Sequence, residues 1–152
     1  MFLLRAATFL SALLIALAVG GSLPCTAAET IGSIRNQEGT AVIVRDGQRV
    51  PAARGVKLQE GDILETGPDG RLGLILRDDS LLSLGPSSRI ALERFVFVPA
   101  EAKLGLTARI LRGTFAYLSG IFGRLAPDAT TFVTPVATIG VRGTHFAVRV
   151  EE

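Results

Sequence analysis

The chain has 152 residues, and its 16 lysine and arginine residues against 14 aspartate and glutamate residues give a formal net charge of +2. A charge so close to zero excludes the strong, clustered positive field that a nucleic-acid-binding domain needs. One cysteine and one histidine are present, too few for a disulfide framework or for a metal centre built on thiolate and imidazole ligands.

The first segment in chain order has the three parts of a secretory signal peptide. Arg5 supplies an early positive charge, an apolar run follows over residues 6–23, and small residues end at Ala28. We therefore predict a signal peptide over residues 1–28, cleaved after Ala28, and a mature domain over residues 29–152. Cleavage removes Arg5 and the cysteine, which leaves a cysteine-free domain of net charge +1 in the periplasm of a Gram-negative bacterium or secreted from it.

Two other fates of this segment stay open. The apolar run is close to the roughly 18 to 20 residues that span a bilayer, so an uncleaved membrane anchor is one alternative. The Thr-Ala-Ala that follows Cys25 favours processing instead. Acylation of Cys25, as in a lipoprotein, is the other alternative, and Pro24 directly before the thiol argues against it. We expect contact with a membrane only through this segment, if it is not cleaved.

Apolar residues then alternate with polar residues in short runs that turn residues interrupt, a pattern typical of β-strands. Asp46-Gly47 favours a tight hairpin turn because both residue types accept positive φ angles, and Gly-Pro-Asp-Gly at 67–70 favours another turn. The predicted strands cover residues 40–45, 63–66, 71–77, 81–84, 89–93, 95–98, 104–117 as a pair divided by Gly113, 131–138 and 144–150.

This pattern predicts an all-β fold, with one domain of short antiparallel strands arranged as a sandwich or jelly roll, or as a short β-solenoid. Periodicity does not separate these arrangements. Residues 118–129 mix glycine and proline with apolar residues and predict a partly buried loop with one helical turn. Pro135 lies inside the run 131–138, where we expect an edge or a bulge because proline cannot donate to a ladder.

The residues that could support catalysis or metal binding form no recognisable cluster in the sequence. His145 alternates with apolar neighbours in the last predicted strand, so we expect a surface histidine rather than a metal ligand. The only conceivable catalytic set is Asp78, Ser80 and His145, and no serine lies in the elbow motif of a serine nucleophile. No loop has the ligand spacing of a calcium site. We therefore predict a protein that is not an enzyme and that holds neither a metal nor another cofactor.

A set of motif residues runs through the mature chain. They are Gly61, Asp62, Thr66, Gly67, Asp78, Asp79, Ser80, Gly113, Thr134, Pro135, Arg142, Gly143, Thr144 and Phe146. The most specific part is Thr134-Pro135 followed by Arg142-Gly143-Thr144 and Phe146. In this order the motifs resemble the FecR domain, a periplasmic sensing domain of bacterial iron-uptake regulators, and we expect structural roles for them. Asp79 stands where that family often has glycine, which predicts a slightly different turn.

The resemblance implies a role in binding a ligand or a protein. Regulator-type relatives add a cytoplasmic anti-sigma region, a membrane helix and a small receptor-contacting domain. We recognise none of these here and expect a stand-alone domain that relays no signal to a sigma factor. Our leading hypothesis is a non-catalytic module that binds an envelope protein or polymer, with no nucleic acid as partner. The alternative is a sensor of a small ferric chelate such as iron dicitrate, linked to iron-uptake signalling.

A site for an anionic chelate needs convergent cationic groups. Arg71, Arg77 and Arg142 are the tentative ligand-binding candidates, because guanidinium groups bind carboxylates in a fixed geometry. Arg142 has a second interpretation, in which its guanidinium caps carbonyl groups at the bend over residues 140–143. Both interpretations of Arg142 stay open at this point.

Overall fold

The structure is a computed structural model that describes residues 28–142 and 145–151. The predicted signal peptide up to residue 27, with Cys25, lies outside the described residues. The strands in chain order are β1 Thr30–Glu38, β2 Ala41–Arg45, β3 Gln48–Pro51, β4 Lys57–Gln59, β5 Ile63–Thr66, β6 Arg71–Leu76, β7 Leu81–Leu84, β8 Arg89–Val98, β9 Lys103–Leu118, β10 Thr130–Val133, β11 Thr138–Gly140 and β12 His145–Val150. A turn of 3-10 helix covers Pro99–Glu101, and one short helix, α1, covers Phe122–Leu125. In the part of the chain that the structure describes, no helix has the length and apolar character to cross a membrane.

The strands form one continuous sheet around the central strand β9. Their order is β3-β2-β5-β8-β9-β7-β6-β1-β4, and all neighbours on this path are antiparallel. β10 pairs with β9 in parallel and with β11 in a hairpin, and β12 pairs with β9 antiparallel. The prediction of an all-β single domain of mainly antiparallel strands is confirmed, and the arrangement is one curled sheet.

β9 is 16 residues long and divides the sheet into two halves. Its first part pairs with β8 and β10 as far as Arg112, and its second part, from Gly113, pairs with β7 and β12. Gly113 has a φ angle of +92°, a left-handed conformation that glycine adopts without steric cost. The bend at Gly113 lets the sheet curl, so that the inward side chains of both halves join one core.

The core is apolar because alternate side chains of each strand point inward. Leu72, Leu74 and Leu76 of β6 are 1%, 1% and 2% exposed, as their alternation predicts. Ile90 of β8 and Phe115 of β9 bring the two halves into the same cluster. Full burial of one such side chain contributes about 1.5–3 kcal/mol, and this burial holds together a chain whose single cysteine cannot form an internal disulfide.

Two predicted breaks between strands are wrong. Residues 89–93 and 95–98 belong to one strand, β8, because a bulge between Leu92 and Arg94 shifts the alternation without ending the pairing with β9. Residues 104–117 are likewise one strand, since the glycine in their middle bends β9 and does not end it.

Pro135 is a third difference, because it lies in the turn between β10 and β11 and not within a strand. The apolar alternation also failed to predict β1 and β4. Gly32 interrupts it in β1, where a Cβ would lie 2.5 Å from the carbonyl oxygen of Ile75. The hairpin at Asp46-Gly47 is confirmed by φ angles of +50° and +77°, and α1 is the predicted helical turn.

Candidate binding groove

An open groove with a volume of about 580 Å³ lies where β9 passes from one half of the sheet to the other. Residues 112–114 of β9 line it, together with the turns that follow β5 and β7 and the end of β12. The charged side chains in its lining are those of Arg49, Arg112, Arg149, Glu65 and Glu151. We call this surface the arginine groove.

A hydrogen-bonded cluster fixes the turns beside the groove against β9. The Thr66 hydroxyl donates to the Gly85 carbonyl at 2.7 Å and accepts from the Ser88 N–H at 2.9 Å. Ser88 Oγ donates to the Thr114 carbonyl at 3.1 Å and accepts from the Thr114 N–H at 3.0 Å. Thr66 and Ser88 are buried, so these bonds satisfy polar groups that water does not reach. The motif threonine therefore has a structural role next to the groove.

Gly113 is required at this place for two reasons. A Cβ at this position would lie 2.2 Å from Ser88 Oγ and 2.4 Å from Ser88 Cα, closer than non-bonded atoms approach. Its left-handed φ is unfavourable for residues with a side chain. The motif glycine thus allows β9 to contact the turn that contains Ser88 and shapes the wall of the arginine groove.

Ion pairs hold part of the groove rim. Arg49 Nη2 lies 2.9 Å from Glu65 Oε2, and Arg149 Nη1 lies 3.8 Å from Glu151 Oε1. Guanidinium groups bind carboxylates and phosphates through paired N–H donors. The rim therefore offers cationic groups to an anionic ligand, while the two glutamates keep the net charge of the groove small.

The Gly61-Asp62 part of the motif has a different structural role. Asp62 is fully buried, and its Oδ1 and Oδ2 accept from Arg45 Nε and Nη2, each at 2.7 Å. Oδ2 also accepts from the Gln59 N–H at 2.8 Å, and Arg45 Nη2 donates to the Lys57 carbonyl at 2.9 Å. The hydrogen bond to Asp62 holds the pKa of Arg45 above its usual value. This ion pair ties β2 to β4 and to the turn before β5.

The Asp78-Asp79-Ser80 turn supports a second buried polar cluster. Ser80 Oγ donates to Asp78 Oδ2, accepts from the Gly120 N–H at 3.0 Å and lies 3.1 Å from Tyr117 Oη. Burial raises the pKa of Tyr117 above its usual value. Asp79 has a φ angle of +62°, so aspartate adopts here the left-handed conformation that glycine favours.

The structure does not bring the conceivable catalytic set together. Asp78 and Ser80 are fully buried, whereas His145 is exposed. His145 pairs with Leu118, which is 42% exposed on the outer face, while the preceding residue of β9, Tyr117, faces the core beside Ser80. Within residues 28–142 and 145–151, no group of three or more histidine, cysteine, aspartate or glutamate side chains could hold a metal ion.

The Thr134-Pro135 part of the motif builds the turn between β10 and β11. The Thr134 N–H donates to the Ala137 carbonyl at 2.8 Å, and the Thr134 hydroxyl accepts from the Ala137 N–H at 3.0 Å. Thr134 is 7% exposed, whereas Val136 at the tip of the turn is 92% exposed. Thr134 therefore closes the turn, and Pro135 suits it because the turn needs no N–H at that position.

The last block of the motif is described only in part, because Gly143 and Thr144 lie outside the described residues. Phe146 stacks on Phe132 with a centroid distance of 5.6 Å, which fastens β12 to the core. Arg142 is exposed, and its Nη2 donates to Asp128 Oδ2 at 3.1 Å. This interaction holds the pKa of Asp128 below its usual value.

The three arginines selected from the sequence occupy separate places. Arg71 is the first residue of β6 and Arg77 directly follows its last residue, so the two lie about 20 Å apart along the strand. Arg77 pairs with Glu29. Arg142 pairs with an aspartate, and no hydrogen bond from it to the carbonyl groups of the 140–143 bend is seen among the described residues. A role of these arginines in binding a ligand stays a prediction.

Sequence reasoning missed the arginines of the groove. Arg112 directly precedes the motif glycine Gly113, and Glu65 directly precedes the motif threonine Thr66. For Arg112 and Glu65, the position next to a motif residue was the signal that could have selected them. Arg149 faces outward from β12, as the alternation in that strand predicts.

The structure thus shows a small all-β domain with an open groove that charged side chains line. Residues 62–152 match the family described as FecR protein. The match covers more than half of the chain, and the chain therefore belongs to the FecR family, a signalling and sensing family. Searches among curated protein sequences and among solved structures found no match. The resemblance carried by the motif residues is confirmed.

Proposed function

We propose that this FecR domain is a non-catalytic binding and sensing module that acts outside the cytoplasm and recognises an envelope protein or polymer. The observation that carries this proposal is the arginine groove. Its volume of about 580 Å³ lies within the roughly 300–1,000 Å³ typical of ligand sites. Three residues of the family motif, Thr66, Gly67 and Gly113, line its wall, so the groove lies beside residues that define the family.

The lining of the groove indicates the chemistry of its ligand. Arg49, Arg112 and Arg149 suit carboxylate or phosphate groups, and Pro68 and Pro86 add apolar surface between the charged side chains. The groove is open rather than enclosed, so it accommodates a segment of a longer chain. A peptide or polymer of the envelope that carries anionic groups along its length combines these properties.

Sedimentation with purified peptidoglycan sacculi and retention on immobilised envelope proteins test this proposal. The double variant Arg49→Gln/Arg112→Gln removes two cationic groups from the groove. We expect its retention to fall about tenfold, as for the loss of about 1.4 kcal/mol of binding free energy. The matched control is Arg94→Gln/Arg124→Gln, which removes the same charge from exposed positions outside the groove.

The outcomes separate the parts of the proposal. Equal retention of the groove variant, the control and the wild type would move the binding surface away from the groove. Failure of the wild-type domain to bind any envelope fraction, with the folded state verified by circular dichroism, would rule out the binding role itself.

A ferric chelate sensor is the second candidate function, favoured by the guanidinium groups of the same groove. Calorimetric titration with ferric citrate tests it, because heat reports binding anywhere on the domain. Tyrosine fluorescence is less suitable, since Tyr117 is 1% exposed in the core. Saturable binding that the Arg49→Gln/Arg112→Gln variant loses would favour the chelate, and the absence of any saturable heat would exclude it.

Export is part of the proposal and has its own test. Mass spectrometry of the protein from periplasmic and culture fractions should give a chain that begins at Glu29, the residue after the predicted cleavage site. A chain found only in the membrane fraction with residues 1–28 attached would instead support the uncleaved anchor.

A further inference from the structure

Four strands of the described sheet have a neighbour on one side only. They are β3, β4, β11 and β12. Their open sides present backbone N–H and C=O groups without a partner strand, and natural sheets protect such edges with short strands, prolines, charged residues or bulges. The four edges can therefore be compared by the protection that each one has.

Three of these edges are protected. β3 has four residues, all exposed, and ends at Pro51. β4 and β11 have three residues each, and β11 ends at Gly140. β12 differs, because all six of its residues pair with β9 without a bulge and none of them is proline. It is the longest of the four edges, and among these kinds of protection it has only the charged residue Arg149.

The inward side chains of β12 are incompletely covered. Leu82 of β7, Tyr117 of β9 and Phe146 of β12 lie in register across the sheet. Leu82 and Tyr117 are 0% and 1% exposed, whereas Phe146 is half-buried, as are Val148 and Val150. The difference arises because no strand among the described residues lies beyond β12. An additional strand paired with the open side of β12 would bury these three apolar side chains more completely.

The outward side chains of β12 indicate the chemistry of a strand that would pair with its open edge. His145, Ala147 and Arg149 alternate with the apolar residues and face solvent. Arg149 is 71% exposed in its side chain, and its ion pair with Glu151 is long, at 3.8 Å. An acidic side chain directly across from Arg149 would form a favourable cross-strand pair. A second copy of β12 is a poorer match, since its antiparallel pairing about Ala147 places Arg149 opposite His145.

We propose that β12 is a docking edge for an extended strand of a partner protein, added to the sheet by backbone hydrogen bonding. The partner strand alternates apolar residues, which pack beside Phe146, Val148 and Val150, with polar residues that include an acidic residue opposite Arg149. This surface differs in its chemistry from the arginine groove, although Arg149 and Val150 border both.

The test uses the isotope-labelled mature chain and a synthetic peptide of seven residues, Thr-Val-Glu-Val-Glu-Val-Thr, with both ends blocked. We expect NMR shifts that are largest at residues 145–150, together with slowed hydrogen exchange of the β12 amides that face the open edge. Shifts confined to the groove turns at residues 66–68 and 86–87, or no shifts at millimolar peptide, would overturn the proposal.

A charge exchange makes the test specific for Arg149. We expect Arg149→Glu to weaken binding of the glutamate peptide about threefold to tenfold, and a peptide with lysine in place of glutamate to bind this variant better than the wild type. Arg124→Glu changes the same charge on the exposed surface of α1 and should leave both affinities unchanged. Equal effects of the two variants would point to non-specific attraction and overturn the assigned contact.

Two further results separate this inference from other interpretations. Arg49→Gln alters the groove but not β12, and it should leave the peptide affinity unchanged even if envelope binding through the groove fails. Shifts at residues 145–150 that depend on protein concentration without peptide would identify a second copy as the occupant and overturn the partner strand.

Discussion

Gly113 combines two constraints that only glycine satisfies, a φ angle of +92° and a contact with Ser88 that leaves no room for a Cβ. We expect Gly113→Ala to lower the free energy of unfolding by about 3 kcal/mol or more, because the left-handed backbone alone costs roughly 1–2 kcal/mol and the clash adds to it. Urea unfolding followed by circular dichroism measures the change.

Gly105 supplies the matched control, since it lies in the same strand and a Cβ there meets no atom within 4 Å. Gly105→Ala should change the free energy of unfolding by less than about 1 kcal/mol. A similar loss for both variants would contradict the special role of Gly113.

We expect Tyr117 to make the free energy of unfolding depend on pH in the alkaline range. Burial raises its pKa in the folded state above the usual value, so the folded chain keeps the phenolic proton to a higher pH than the unfolded chain. The contribution to stability is complete below the unfolded value of about 10 and is lost as the pH rises through the folded pKa. We expect Tyr117→Phe to lose about 1–2 kcal/mol at pH 7, from its hydrogen bonds.

Urea unfolding of the wild type and of the Tyr117→Phe variant between about pH 8 and pH 11 checks this expectation, since the ordinary pKa of tyrosine lies near 10. The gap between wild type and Tyr117→Phe should narrow above about pH 10. Phenolate absorbance reports the same group directly, because Tyr117 is the only tyrosine of the chain. A gap that stays constant with pH would contradict a raised pKa.

At the scale of elements, the ion pair of Asp62 and Arg45 connects β2 and the turn before β5, which are neighbours in the sheet, with β4 at the far end of the strand order. Asp62 is fully buried, and Arg45 is 28% exposed in its side chain. We expect Asp62→Asn to cost about 2–4 kcal/mol of unfolding free energy, because charge-assisted hydrogen bonds are lost and Arg45 keeps its charge beside a neutral amide. Thermal and urea unfolding measure the loss.

Asp46→Asn is the control for this variant, since it removes a nearby exposed carboxylate in the β2–β3 turn. Its effect should stay within about 0.5 kcal/mol. Equal effects of the two variants would indicate that general charge, and not the buried ion pair, stabilises this part of the sheet.

The elements also show which signals a single sequence carries. The alternation of Leu72, Leu74 and Leu76 predicted β6 because its cause, burial of one strand face, is local in the chain. The pair Asp46-Gly47 predicted the hairpin for the same reason. The sequence did not predict that β8 and β9 are each continuous, since a bulge and a bending glycine look like ends of strands until the pairing partner is known.

At the scale of the whole molecule, both halves of the sheet share β9 and one core cluster. We therefore expect the mature domain to unfold in one cooperative transition, with coincident curves from far-ultraviolet circular dichroism and from tyrosine absorbance. Two separate transitions would show that the halves are independent units, contrary to the continuous core.

The site illustrates the limit of sequence reasoning at this scale. The motif residues Thr66 and Gly113 were recognised from sequence, and the structure places both beside the arginine groove. Arg71, Arg77 and Arg142 were selected as cationic candidates by residue type alone, yet they lie at separate positions. Convergence of side chains depends on how strands from different parts of the chain pair, and no local pattern encodes that.

The sequence by itself determined the all-β class, the single domain, the main turns and the family, because strand periodicity, turn chemistry and the motif residues act over a few neighbouring positions. Only the tertiary structure decided that β9 crosses between two halves, that Arg49, Arg112 and Arg149 meet at one groove, and that β12 ends the sheet with an open edge. Each of these depends on pairings between residues far apart in the chain, whose geometry follows from the packing of one shared core.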